Sequence, residues 1–188
     1  NENGTDFFFM KTSSQERTVG LIAQLLASRL PKAYQVNPIG DIQVLTPVKK
    51  QPTGTVALNA SLQEALNPYT PAKGQIEVRG VWYREGDRVM QMRNNYDIAV
   101  NDATGELRAG VYNGDLGIVD SVFDDGLVVR FDDDSTCIYR KKEMDDLQHA
   151  YAITIHKSQG SEFPIVVIPL HWGPMMLYTR NLLYTAIT

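Results

Sequence analysis

The sequence has one cysteine, no long apolar run and no glycine loop for phosphate, and each absence excludes a class of function. Cys137 has no partner for an internal disulfide, which is typical of a reducing, cytoplasmic compartment. No stretch approaches about 18 apolar residues, so no membrane span is predicted. None of the 14 glycines is followed by lysine. The chain therefore lacks a GxxxxGK[ST] loop and is not expected to hydrolyse a nucleotide alone.

A basic surplus is also missing, because 18 lysines and arginines face 22 acidic residues and the net charge is −4. Proteins dedicated to nucleic acid usually carry such a surplus, since phosphate neutralisation dominates their affinity. Any contact with nucleic acid must therefore come from a local basic cluster or from a larger assembly. No metal site is predicted either. The three histidines and Cys137 lack zinc-ligand spacing, and residues 132–134 lack the alternation of an EF-hand loop.

Strand and helix patterns alternate in the N-terminal part of the chain. DFFFM (6–10) is predicted to form a short buried strand, and IQVLTP (42–47) a second strand that ends at its proline. Between them, Ser13 and Glu16 form a capping-box pattern, and Pro31 is expected to close the helix that follows. A second helix carries leucines on one face: Leu58, Leu62 and Leu66. This alternation favours a parallel α/β sheet.

From about residue 80 the pattern changes to short strands joined by tight turns rich in Asp and Gly. The clearest strands are LGIVDSVF (116–123), LVVRF (127–131) and TCIYR (136–140), with no room for helices between them. This spacing predicts a small antiparallel β-barrel over residues 85–146.

The α/β pattern returns after residue 148. AYAIT (150–154) and IVVIPL (165–170) are candidates for buried strands. RNLLYTAIT (180–188) has helical spacing without a cap or breaker, which favours a piece of a longer protein. The fold class is therefore predicted as α/β, with an antiparallel β module inserted in a loop of the α/β domain.

Hydrogen-bonding side chains are crowded at the end of one predicted strand, in TIHKSQGSE (154–162). Ligands of parallel sheets bind at the carboxyl ends of strands, where loops and helix N-termini converge. Gly160 permits a left-handed turn. Glu162 could accept hydrogen bonds from ribose hydroxyls, and His156 or Lys157 could meet phosphates. An ordinary polar turn between two strands fits the same spacing.

Two other clusters carry comparable chemistry. TPVKK (46–50) also ends a strand and offers Lys49 and Lys50 to phosphates, although a solvated basic loop has the same pattern. RNNYD (93–97) supplies amides and an aromatic ring that suit contacts with bases or backbone, but Asn-Asn is also common in turns.

Three stretches in this order carry a family signature: IQVLTPVKK…TGTVALNASLQEALNP, then GDRVMQMRNNYD…VYNGDLG, then AYAITIHKSQGSEF with IVVIPL and LLYTAIT. The last resembles motif V and the start of motif VI of superfamily 1 DNA helicases, and the first resembles the motif IV region of the RecD-like (RecD/TraA) branch. The resemblance covers nearly the whole chain. It implies a RecA-like domain, 2A, formed by residues 1–84 and 147–188, with an SH3-like barrel, 2B, inserted at 85–146.

The resemblance also implies a function, namely an ATP-dependent DNA helicase, of 5′ to 3′ polarity, with ATP between two RecA-like domains. Gly160, Glu162 and Gln159 would face the nucleotide. Seven residues would face single-stranded DNA: Thr46, Pro47, Lys49, Asn94, Thr154, His156 and Lys157. The phosphate loop and the Mg²⁺-binding acid would belong to the N-terminal RecA-like domain of the same protein. This chain alone is therefore expected to be an inactive monomer that contacts no membrane.

Two departures from the family pattern limit these implied roles. The motif VI arginine that stabilises the transferring phosphoryl group would come after Thr188. Residues 98–110 form a longer segment than is typical, so no contact is assigned to them. The main alternative is a non-enzymatic module in which the barrel docks protein or nucleic acid. A relaxase-helicase of conjugative plasmids would share the same motifs.

Overall fold

The computed structural model describes residues 7–170 together with residues 184 and 185, and it has mixed α/β architecture. The helices are α1 (Gln15–Gln24), α2 (Leu30–Tyr34) and α3 (Thr55–Leu66). The strands are β1 (Ile42–Thr46), β2 (Gln75–Val78), β3 (Val81–Arg84), β4 (Arg88–Gln91), β5 (Asn95–Asn101), β6 (Leu107–Val111), β7 (Leu116–Phe123), β8 (Gly126–Phe131), β9 (Thr136–Arg140), β10 (Leu147–His149), β11 (Ala152–Thr154) and β12 (Ile165–Val167).

The parallel sheet has the order β11-β1-β12, with β1 in the centre. All five residues of β1 are buried, as expected for a parallel strand that is covered on both faces. Ile22 of α1, Leu26 of the π-helical turn that follows it, and Leu58 and Leu62 of α3 are among the apolar side chains that cover it. Both strands predicted on either side of the polar segment are present and pair with β1. β11 is largely buried as predicted, whereas β12 is only partly buried and its Val166 is exposed.

The antiparallel sheet has the order β10-β4-β7-β8-β9-β5-β6 and lies between α3 and β11 in the chain. Tight turns join β7, β8 and β9, as predicted. The sheet continues past residue 146, because β10 pairs with β4. Its core also takes Ile76 and Tyr83 from the β2–β3 hairpin. The insertion of an antiparallel β module into an α/β sheet is confirmed, whereas the boundaries of the two domains stay a prediction.

A third apolar cluster joins the two sheets. Leu45 of β1 and Ile153 of β11 pack with Met90 of β4 and Leu116 of β7. Ile155, the first residue after β11, is fully buried in the same cluster. The carboxyl edge of the parallel sheet therefore rests against one end of the antiparallel sheet.

Two details of the first helix differ from the prediction. Ser14, not Ser13, is the N-cap, and its hydroxyl accepts a hydrogen bond of 3.3 Å from the Arg17 amide. Pro31 does not end the helix, since α2 runs on to Tyr34. A π-helical turn over Leu25–Arg29 precedes it. That wider turn accommodates a proline that has no N–H for a carbonyl one turn earlier.

The prediction of a buried strand at residues 6–10 is wrong for the part that the structure describes. Phe7, Phe8 and Phe9 form no strand, and each is 68% exposed. β-propensity expresses how well a residue fits a half-buried surface. Within residues 7–170 no neighbouring strand provides such a surface for this run.

Two further sequence predictions concern membranes and the C-terminal segment. Within the described ranges, no helix combines the length and apolar character that crossing a bilayer requires. The predicted last helix and the start of motif VI lie outside the described residues, apart from Tyr184 and Thr185, which are helical.

Candidate nucleic-acid and nucleotide site

The carboxyl ends of two neighbouring parallel strands form the framework of the site. β1 ends at Thr46 and β11 at Thr154, and these two residues are register partners. The 46–54 loop leaves the first strand end, and residues 155–162, here called the corner, leave the second. Both of the basic clusters predicted from the sequence therefore start from adjacent positions on one sheet edge.

The 46–54 loop is held by its own backbone and by α3. Thr46 is completely buried, and its hydroxyl donates to the Thr53 carbonyl at 2.8 Å. Pro47 is buried as well, whereas Lys49 is exposed. The first amides of α3 donate to the carbonyls of Val48 and Lys49, at 3.1 and 3.2 Å. Thr46 and Pro47 therefore shape the loop, whereas the exposed Lys49 and Lys50 are groups of it that a ligand can reach.

Gly54 explains how this loop turns so tightly into α3. A Cβ atom at this position would lie 2.6 Å from the Lys49 carbonyl oxygen, well inside contact distance. Only glycine lets the two backbone segments come this close. The position of Lys49 thus depends on a residue without a side chain.

The corner begins with a single 3₁₀ turn, Ile155–Ser158, whose first and last residues are buried. Ser158 is buried and donates its hydroxyl to the Ile155 carbonyl at 2.9 Å. His156 is exposed, Lys157 is partly buried, and Thr154 behind them is half-buried. The buried pair anchors the turn, so His156 and Lys157 are presented from a fixed backbone.

Lys157 connects the corner to the antiparallel sheet and to the 46–54 loop. Its ammonium group donates a hydrogen bond to the Asn113 side-chain oxygen. Partial burial and the positive charge of Lys49 both lower the pKa of Lys157. Two like charges therefore lie close enough to repel, and neither forms an ion pair with a described residue. Such a pair is stabilised when an anion binds between the two amines.

A chain of amides and aromatic rings continues from Lys157 across the antiparallel sheet. The Asn113 amide donates to the Asn94 side-chain oxygen at 2.8 Å, and the Asn94 side-chain nitrogen donates to the Tyr96 hydroxyl at 2.8 Å. The Tyr96 and Tyr112 rings meet edge to face, with centroids 6.2 Å apart. They are 64% and 45% exposed, so their faces are open to a stacking partner.

Among these amides and rings, Asn94 was predicted from the sequence as a DNA-facing residue, whereas Asn113 and Tyr112 were missed. The segment VYNGD belongs to the family signature, but the sequence assigns no contact to its residues, and Asp115 accepts the Tyr112 amide at 2.7 Å as turn chemistry requires. The sequence does contain a signal for these residues, because tyrosine stands next to asparagine both in NNY (94–96) and in VYN (111–113). Only the pairing of β5 with β6 brings them together.

The predicted nucleotide side of the corner lies beyond the lysine. Gln159, Gly160 and Glu162 are exposed, and Gly160 has a left-handed φ of +84°, one of the conformations that a glycine permits there. Ser161 and Glu162 line a cleft of about 280 Å³ against the antiparallel sheet.

Acidic residues dominate the opposite wall of this cleft: Asp115, Asp132 and Asp133, with Arg108. Arg108 is already paired with Asp133 at 3.1 Å. The hydroxyl and amide of Ser135, together with Arg108, outweigh burial and lower the pKa of Asp133, so this carboxylate stays ionised. Asp132 is paired with Arg88 at 2.5 Å, so Asp115 is the carboxylate of this wall that has no arginine partner among the described residues. The carboxylate oxygens of the wall can accept hydrogen bonds from hydroxyl groups.

Two family models match the chain. Residues 58–131 match the model described as the ATP-dependent RecD-like DNA helicase SH3 domain. Residues 149–188 match the UvrD-like helicase C-terminal domain. The matches cover the 3₁₀ corner, the antiparallel sheet up to the end of β8, and most of α3.

Among curated proteins, the chain is 37% identical over 149 residues to the ATP-dependent RecD2 DNA helicase of Deinococcus radiodurans, covering 79% of this chain and 19% of that protein. It is 30% identical over 140 residues to the RecBCD enzyme subunit RecD of Mycolicibacterium smegmatis, covering 74% and 22%. The chain thus spans about a fifth of the length of these relatives. Among solved structures, a Pif1 helicase from Bacteroides in complex with ADP-AlF3 and ssDNA aligns with a TM-score of 0.48 and 19% identity, over 91% of this chain and 42% of that one.

Proposed function

Because the chain belongs to the RecD-like family of DNA helicases, we propose that it is the C-terminal motor part of an ATP-dependent helicase that moves along single-stranded DNA. In this role the carboxyl edge of the parallel sheet and the end of the antiparallel sheet together form part of the DNA track. A non-enzymatic docking module is not favoured, since both matching family models are those of helicases.

The observation that carries this proposal is that Lys49 and Lys157 follow neighbouring strand ends, with Lys157 hydrogen-bonded to Asn113 beside exposed amides and tyrosines. Neighbouring amines without a described carboxylate partner suit a backbone phosphate. The Tyr96 and Tyr112 rings supply stacking surfaces that tolerate any base. A phosphate site next to stacking rings suits a single strand better than a duplex, whose bases are already stacked on one another.

For the nucleotide, we assign Gly160, Glu162 and Gln159 to one wall of the ATP site. The acidic cleft favours the ribose over the phosphates at Glu162. The triphosphate and its Mg²⁺ would be held by the N-terminal RecA-like domain of the same protein. In the described ranges of this chain, no group of three or more carboxylate, histidine or cysteine side chains is arranged to hold a metal ion. Because the sequence has no GxxxxGK[ST] phosphate loop, the chain alone is proposed to lack ATPase activity.

Replacing Lys49 or Lys157 with alanine tests the track. For single-stranded DNA, the slope of log K against log salt changes by about 0.7 for each phosphate that is neutralised. We expect each variant to weaken binding and to reduce the slope by about that amount. Fluorescence anisotropy of a labelled oligonucleotide, titrated at several salt concentrations, measures both quantities.

Lys142 provides the control, because it is an exposed lysine that lies beside Glu143 and outside this cluster. Lys142→Ala is expected to leave the slope unchanged. If both cluster variants kept the wild-type slope, the two lysines would not neutralise DNA phosphate and the track would have to be placed elsewhere.

Replacing Glu162 with alanine tests the nucleotide wall in the intact helicase. A hydrogen bond to a charged group contributes about 1.5–3 kcal/mol, so the KM for ATP is expected to rise about tenfold or more. Steady-state ATPase assays with ATP and with 2′-deoxy- and 3′-deoxy-ATP measure the effect.

The deoxy nucleotides supply the control for this assignment. If Glu162 accepts from a ribose hydroxyl, the wild type should lose affinity for the nucleotide that lacks it, and Glu162→Ala should lose nothing more. A variant that changes only DNA affinity would show that the corner is divided differently between DNA and nucleotide.

A further inference from the structure

The chain passes twice between the parallel and the antiparallel sheet, and both passages lie at one buried carboxylate. Asp87 directly precedes β4, where the chain enters the antiparallel sheet, and His149 ends β10, where the chain leaves it. Their side chains lie 3.1 Å apart, from His149 Nε2 to Asp87 Oδ2. Asp87 has no exposed surface at all.

Five donors surround the two oxygen atoms of Asp87. They are Gln63 Nε2 at 2.6 Å, Asn67 Nδ2 at 2.7 Å, the Tyr151 hydroxyl at 2.8 Å, the Arg84 amide at 2.8 Å and His149 Nε2 at 3.1 Å. A single carboxylate thus satisfies donors from α3, from the end of β3, from β10 and from the residue before β11. An ionised carboxylate offers about four lone-pair sites, so the acceptor capacity of Asp87 is saturated.

The donors come from both sides of the junction between the sheets. Gln63 and Asn67 lie on α3 and at its C-cap, and α3 packs on the parallel sheet, while Tyr151 belongs to the same apolar core. Asn59, one turn earlier on α3, holds the second passage by donating to the His149 and Ala152 carbonyls at 3.0 and 2.9 Å. The polar cluster therefore bridges elements that the two apolar cores keep apart.

Apolar packing between the sheets does not fix their relative angle in the same way. The cluster of Leu45, Met90, Leu116 and Ile153 is held by burial, which is non-directional. Hydrogen bonds to a carboxylate weaken steeply when they bend away from their preferred geometry. Five of them converging on one residue define an orientation that side chains packed on one another do not.

We propose that Asp87 is a positioning residue, which fixes the antiparallel sheet on the parallel sheet and so holds Asn94 and Asn113 beside Lys157. This rests on the proposed DNA track. β4 starts at the residue after Asp87 and runs to within three residues of Asn94. It pairs with β7, which starts three residues after Asn113. A tilt of β4 at Asp87 therefore moves both asparagines relative to the corner.

The test compares three variants of the intact protein: Asp87→Asn, Tyr151→Phe and Tyr139→Phe. Tyr139 is the matched control, because its buried hydroxyl also donates a 2.8 Å hydrogen bond, to Gln91, but both partners belong to the antiparallel sheet. Spin labels are attached at Ala60→Cys on α3 and Ile138→Cys on β9, both of which are exposed positions. Burial raises the pKa of Cys137 to about 12, so this native thiol does not compete for the label.

Double electron–electron resonance then measures the distribution of distances between α3 and β9, and anisotropy measures binding of single-stranded DNA. We expect a narrow distribution in the wild type and in Tyr139→Phe, and a broader one in Tyr151→Phe and Asp87→Asn. DNA affinity should fall in the order of that broadening. Thermal unfolding is recorded for all variants, so that loss of stability without change of orientation is recognised.

The possible outcomes separate this inference from the proposed function. An unchanged distance distribution in both junction variants would overturn the role of Asp87, whatever happens to DNA binding. A broader distribution of distances with unchanged DNA affinity would support the role of Asp87 in orienting the two sheets, but it would overturn the effect of that orientation on Asn94 and Asn113. If the wild type failed to bind single-stranded DNA, the proposed DNA track would be wrong. The role of Asp87 in orienting the sheets would then be judged from the measured distances alone.

Discussion

Replacing Asp87 with asparagine is expected to lower the free energy of unfolding by about 1–3 kcal/mol or more, the cost of leaving a buried donor without an acceptor. Asparagine has nearly the same shape, but it offers one oxygen acceptor where five donors converge. Its amide nitrogen would face other donors, which leaves buried N–H groups without acceptors. Urea titration of the 188-residue chain, followed by circular dichroism, measures the change.

Asp97→Asn is the control for this prediction, because Asp97 is an exposed carboxylate on β5. Its replacement is expected to change stability by less than about 0.5 kcal/mol. An equally small change at Asp87 would mean that the cluster relaxes around the amide and that its hydrogen bonds contribute little.

The same substitution should alter how stability depends on pH. Burial alone raises the pKa of Asp87, but the hydrogen bond and charge of His149, with the donors on Asn67 and Arg84, outweigh it and the pKa is lowered. The ionised carboxylate therefore stabilises the fold above the ordinary aspartate pKa of about 4, and this contribution is lost as the pH falls through the lower, folded-state pKa. The nearby phenols do not titrate in this range, since burial raises the pKa of Tyr83 and Tyr151. Asp87→Asn should lack this part of the acid dependence.

Replacing Gly126 with alanine is expected to cost about 3 kcal/mol, at the upper end of typical overpacking effects. Gly126 starts β8 and pairs with Arg140 of β9. A Cβ atom there would overlap the Tyr139 carbonyl oxygen and lie 2.8 Å from the Phe123 ring. The Tyr139 carbonyl oxygen can move away only if β8 and β9 separate. The substitution therefore strains the β8–β9 hairpin, whose side chains fill the core of the antiparallel sheet.

Gly20→Ala gives the opposite expectation with the same chemical change. Gly20 is exposed on α1, and a Cβ atom added to it would have no neighbouring atom within 4 Å. Alanine should therefore stabilise the helix by about 0.5–1 kcal/mol. Comparing the two unfolding midpoints separates steric strain from the general effect of replacing glycine. A Gly126→Ala variant as stable as the wild type would show that β8 and β9 separate at this end without cost.

Much of the fold could be predicted because local sequence patterns determine many of its helices and strands. α3 follows from leucines at helical spacing, and β7, β8 and β9 follow from apolar runs separated by turns rich in Asp and Gly. The position of the corner at the end of a buried strand could also be predicted, but its role could not, since an ordinary polar turn fits the same spacing.

What could not be predicted depends on contacts between distant segments. Asp87 and His149 give no signal in sequence, because a Gly-Asp pair and a lone histidine are ordinary turn and core residues until the fold places them 3.1 Å apart. Asn113 was hidden in the same way by its turn. The exposed phenylalanines at 7–9 show the converse, since hydrophobicity alone does not supply the neighbour that burial requires.

The antiparallel sheet is inserted through two neighbouring passages of the chain, at Asp87 and at His149, and this arrangement affects how the protein folds. Gln43 and Tyr151 hydrogen-bond across 108 positions of chain, whereas Asp87 and His149 are separated by 62 and meet at the junction. Contacts between distant positions form slowly, because the entropy of closing a long loop must be overcome first. Once the insertion has folded, its two ends are already side by side, and the remaining loop is much shorter. We therefore expect the inserted sheet to fold first and β11 to pair with β1 afterwards.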